Sequence, residues 1–76
     1  MDHSVRGYLE RQSDFELQCT IRYCLNQEDL QHYGQFVLMG IHILESRYPD
    51  RPEHIDKVIK AFWEELICKT YDKQRK

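Results

Sequence analysis

The chain has 76 residues, 41% of them hydrophobic and 32% charged, with 11 Lys and Arg against 13 Asp and Glu for a formal charge of -2. That length allows one hydrophobic core at most, and five Tyr, three Phe and one Trp fit a folded chain better than a disordered one. The near-neutral balance argues against a dedicated phosphate-backbone binder, whose affinity comes from surplus cations, although it leaves room for a local basic patch.

Domains this small bury only about 60% of the surface their unfolded chains expose, so help from disulfides, a metal or self-association is expected. The opening MDHSVRGYLERQ mixes charges and lacks the apolar stretch of a secretory signal. The apolar run from Phe36 to Ile41 is far shorter than the about 20 residues that cross a bilayer. A cytoplasmic protein without a membrane segment is therefore expected. Cys19, Cys24 and Cys68 are odd in number and form no CxxC pair, which suits reduced thiols.

The first element is a short helix expected over about residues 3–12, weakened by Gly7 within it. Ser13-Asp14-Phe15-Glu16 then matches a capping box, in which the Ser hydroxyl and the Glu carboxylate each accept from the other residue's amide. A helix over about 14–25 follows, with Leu17, Ile21, Cys24 and Leu25 on one face and Phe15 and Cys19 beside it. Asn26 can end that helix and cap the next, predicted over 27–47.

This third helix is the centre of the expected fold. Leu30, Tyr33, Val37, Ile41, Leu44 and Tyr48 share one face, and Phe36, Met39 and Ile43 widen it sideways. Only Gln31, Gln35, His42 and Ser46 form a polar strip. A helix apolar on most sides must be covered on most sides, and Gly40 on its apolar side is expected to mark a close crossing.

Tyr48-Pro49-Asp50-Arg51-Pro52 stops that helix, since proline disfavours helical geometry in the residue before it. The last helix is predicted over about 52–71, with Ile55, Val58, Ile59, Phe62 and Leu66 inward. Glu53 with Lys57, Asp56 with Lys60 and Glu65 with Lys69 mark its outer face. Residues 72–76 read as a polar tail. The expected fold class is all-α, a small antiparallel bundle of three main helices plus a short N-terminal one.

Chemistry is sparse in this pattern. Cys19 and Cys24 stand about 140° apart on a helix, no closely spaced Cys or His pair supports a zinc site, and burial as small hydrophobes is the expected role of both thiols. Pairing Cys68 with His54 or His42 lacks the Gly-rich loop or nucleophile elbow of a catalytic site. No enzyme activity, metal or cofactor is expected, and His42 reads as a solvated surface residue. A helix-turn-helix reading around Asn26 puts Glu28 and Asp29 where phosphates would approach.

The strongest functional signal is apolar excess. Phe36, Leu38, Met39 and Ile43 on the central helix and Trp63, Ile67 and Tyr71 on the last one lie beyond the main core stripes. Such side chains suit a protein interface, or else the N-terminal helices cover them. The expectation is a non-catalytic protein-binding module, a regulator or inhibitor acting on another protein or pairing as a homodimer. The alternative is a nucleic-acid-associated regulator using a basic C-terminal patch of Lys69, Lys73, Arg75 and Lys76.

Overall fold

A computed structural model describes residues 5–74, with side chains described for 5–71. It contains four helices, α1 (Val5–Glu10), α2 (Asp14–Leu25), α3 (Leu30–Arg47) and α4 (Glu53–Gln74), and no strand among the described residues. Helix α3 packs against all three others, and α2 also touches α4. The fold is the small all-α bundle that the periodicity implies, with the predicted central helix at its centre.

The start of α2 follows the capping-box pattern. Ser13 Oγ accepts from the Glu16 amide at 3.2 Å, and Glu16 Oε1 accepts from the Ser13 amide at 2.9 Å. Helix α3 begins at Leu30, not at the expected residue 27. The reason is that Asp29, not Asn26, caps it: the Asp29 carboxylate accepts from the His32 amide at 3.2 Å. Asn26 stays right-handed and closes α2, and the Gln27 amide turns back to the Cys24 carbonyl at 3.2 Å.

Arg51, at φ 49, makes the turn into α4. Its guanidinium ties the two sides of that turn, reaching Glu45 at 3.1 Å and Asp56 at 3.0 Å. The Pro52 carbonyl accepts from the Ile55 and Asp56 amides at 3.0 and 2.8 Å, so Pro52 sits before the first turn and not within it. Helix α4 continues to Gln74, past the residue 71 expected as its end, because nothing in 72–74 breaks a helix.

Leu17, Ile21, Cys24 and Leu25 of α2 meet Val37, Ile41, Ile43 and Leu44 of α3 and Ile55, Ile59, Phe62 and Leu66 of α4 in one buried cluster, with Leu9 of α1 added. Gly40 is buried at the α2–α3 crossing, as its place on the apolar side suggests. Arg47 fastens the corner between α1 and α2 to the end of α3. It donates to Asp14 Oδ1 at 2.7 Å and to the Glu10 and Gln12 carbonyls at 3.0 and 2.7 Å, while the Tyr48 hydroxyl donates to Asp14 Oδ2.

The Cα atoms fill a slab of 38 × 34 × 16 Å. Packed helices stand about 8–10 Å apart with Cα atoms about 2.3 Å from each axis, so this Cα thickness corresponds to about two layers of helix. An outer helix in such a slab keeps one face uncovered.

Candidate protein-binding surface

The structure divides the seven apolar candidates into three groups. Leu38 of α3 and Trp63, Ile67 and Tyr71 of α4 come together around one shallow hollow of about 390 Å³, completed by Leu66 and Thr70. Leu38 and Trp63 are half-buried, whereas Ile67 and Tyr71 are 62% and 64% exposed. These four residues lie on two helices far apart in sequence, and they form the apolar face that α4 leaves uncovered.

Ile43 requires a correction. It is only 5% exposed and belongs to the core. On the same side of α3, Phe36 lines a hollow with Val5, Tyr8 and Leu9 of α1, and Arg47 bonds to the Glu10 carbonyl. Ile43 lies between those two positions, so the short first helix covers it.

Phe36 and Met39 form the remaining group, both half-buried against the core and away from the α4 stripe. Phe36 lines a separate hollow of about 470 Å³ between α1, α2 and α3, with Tyr8, Cys19 and Tyr23 among its walls. It also belongs to an aromatic cluster that the sequence reading missed. His32 packs edge-on to Tyr33 and Phe36 at ring-centroid distances of 5.1 and 5.2 Å, and Tyr33 packs edge-on to Tyr23 at 6.4 Å. The signal was present in the spacing of His32, Tyr33 and Phe36 along one helix, but the contact from Tyr23 needs the α2–α3 packing.

Of the basic-patch residues, Lys69 alone has a described side chain. Lys69 Nζ donates to the Leu25 carbonyl at 2.7 Å and to Asn26 Oδ1 at 3.4 Å, and it pairs with Glu65 at 3.2 Å. A cation at the end of α2 satisfies carbonyls that lack a helical partner and complements the helix dipole. Lys69 is therefore committed to the fold. Arg75, Lys76 and the Lys73 side chain lie outside the described residues.

Cys24 is buried, and that burial raises its thiol pKa, which favours the neutral form over the nucleophilic or metal-binding thiolate. Cys19 is exposed at the rim of the α1–α2–α3 hollow, contrary to its expected burial, because it lies about 140° round α2 from the buried Cys24. Cys68 is also exposed. His42 is exposed, with Nδ1 3.3 Å from Glu45 Oε1. Among the described residues no three His, Cys, Asp or Glu side chains converge as a metal site, and no helix is long and apolar enough to cross a membrane.

No family model matches the chain, and no curated protein or solved structure matches it.

Proposed function

We propose that this chain is a non-catalytic protein-binding module of the cytoplasm, a regulator or inhibitor that receives an apolar helix on the face formed by Leu38, Trp63, Ile67 and Tyr71. The observation that carries this reading is the exposure of Ile67 and Tyr71 beside a hollow floored by the half-buried Leu38 and Trp63. An aromatic anchor at the edge of an apolar hollow supplies large contact area at small entropy cost, which is how interface hot spots are built.

Site-specific photo-crosslinking tests it. A benzophenone amino acid at position 67, in cells that make the full chain, should give a discrete protein adduct that is lost with Trp63→Ala. The same probe at Phe15, an aromatic residue 76% exposed on α2, should give none. Equal adducts from both positions, or none from position 67, would overturn the proposal.

A further inference from the structure

We infer that the helix received by this face is α4 of a second copy of the chain, packed antiparallel about a two-fold axis that passes at Ile67. The inference rests on the binding surface proposed above and names its partner.

Its basis is the symmetry of the stripe. Trp63 stands four residues before Ile67 and Tyr71 four residues after it. At about 100° per residue, Trp63 and Thr70 fall about 40° and 60° to one side of Ile67, while Tyr71 and Glu64 fall about 40° and 60° to the other. In an antiparallel pair with a perpendicular two-fold axis, each flank meets its own copy, and the level of residue 63 on one helix is that of residue 71 on the other. Trp63 then lies beside Tyr71 of the second copy, and Ile67 meets Ile67.

The polar groups at the rim match in the same arrangement. The Glu64 carboxylate, the Tyr71 hydroxyl, the Trp63 indole N–H and the Thr70 hydroxyl have no hydrogen-bond or ion-pair partner among the described residues. On one flank the Tyr71 hydroxyl of each copy comes level with Glu64 of the other, within about one residue's rise, and can donate to it. On the opposite flank each indole N–H comes equally near the Thr70 hydroxyl of the other copy. Each pair occurs twice by symmetry.

Lys60, which falls close to the centre of the stripe, is neutralised within its own helix by Asp56 at 3.0 Å. A foreign helix would have to supply this pattern of donors and acceptors, whereas the chain already carries its own complement. One helix face and Leu38 make a small contact, and small interfaces go with weak association, so the pair is a reversible dimer.

Sedimentation equilibrium of the full chain over about 1–100 μM tests the inference. The mass should rise from 9.3 kDa towards twice that value with concentration. Ile67→Lys should hold it at the monomer mass throughout, with an unchanged helical circular dichroism spectrum. Register is read from a double-mutant cycle: Glu64→Ala and Tyr71→Phe should each weaken the dimer about tenfold, and together by little more than either alone. Effects that multiply would place Glu64 and Tyr71 apart and overturn the antiparallel register. A monomer at every concentration would overturn self-association; a position-67 adduct to a different protein would then leave the binding surface standing, and no adduct would remove both.

Discussion

Gly40 of α3 lies so close under Ile21 of α2 that a Cβ there would stand 2.6 Å from Ile21 Cγ1 and 2.8 Å from Cδ1. Ile21 is 1% exposed and packed in the core cluster. Gly40→Ala gains about 1 kcal/mol of helix propensity but overpacks the crossing at a cost of about 1–3 kcal/mol, so net destabilisation is expected. Gly34 is the control, because its nearest neighbour would be Leu66 Cδ1 at 4.0 Å. Gly34→Ala should stabilise by about 0.5–1 kcal/mol. Urea midpoints should therefore move in opposite directions for the two variants, and movement in the same direction would contradict the crossing.

The Asp14 carboxyl is held below its ordinary pKa, first by the Tyr48 hydroxyl and then by the Arg47 guanidinium, and Tyr48 is correspondingly raised. For Asp14 the folded pKa lies below the unfolded value of about 3.9, so its contribution is complete above that value and is lost as pH falls through the folded one. For Tyr48 the folded pKa lies above the unfolded value of about 10, so its contribution is complete below that value and is lost as pH rises through the folded one. The stability difference between the natural chain and Tyr48→Phe should be constant from about pH 5 to 9 and shrink at both extremes. Urea unfolding at pH 2, 7 and 11 checks this, and a difference that persists undiminished at pH 2 would show that Asp14 is not the partner.

Two lysines on α4 should behave differently when replaced by methionine. Lys69 caps the Leu25 carbonyl, so Lys69→Met should cost about 1 kcal/mol through the lost charge-assisted hydrogen bond. Lys57 pairs with Glu53 at 3.9 Å, with both side chains open to water. Lys57→Met should therefore change stability by less than about 0.5 kcal/mol. Thermal unfolding in parallel decides the point, and equal melting temperatures would return Lys69 to the solvated surface.

The inward stripes were legible from period alone, since burial of Leu17, Ile21, Val37, Ile41, Ile59 and Phe62 follows from a 3.6-residue repeat. The α2 cap was legible because both partners of the capping box lie within four residues. The fate of Ile43 was not, because its cover comes from α1, a helix of six residues whose docking depends on Arg47 reaching Glu10 and Gln12 from far along the chain. The contact of Lys69 with Leu25 was illegible for the same reason: that carbonyl is 44 positions away. Of the candidate surface, Trp63, Ile67 and Tyr71 were visible as one helical stripe, but only packing brings Leu38 to their side.

Core and surface roles separate most clearly at two isoleucines of opposite exposure. Ile41 on α3 is fully buried and Ile67 on α4 is 62% exposed. Truncating Ile41 removes packed methylenes and leaves a cavity among α2, α3 and α4, so Ile41→Ala should cost about 2–5 kcal/mol. Truncating Ile67 removes area that water already touches, and Ile67→Ala should stay within about 0.5 kcal/mol at a dilution where the chain is monomeric. Trp63 lies between these limits, half-buried on the floor of the hollow, so Trp63→Ala should lose some stability and more of the association. Chemical unfolding at low and high protein concentration measures both terms. Loss of helicity in Ile67→Ala at every concentration would make that residue core and remove the apolar face on which the binding proposal stands.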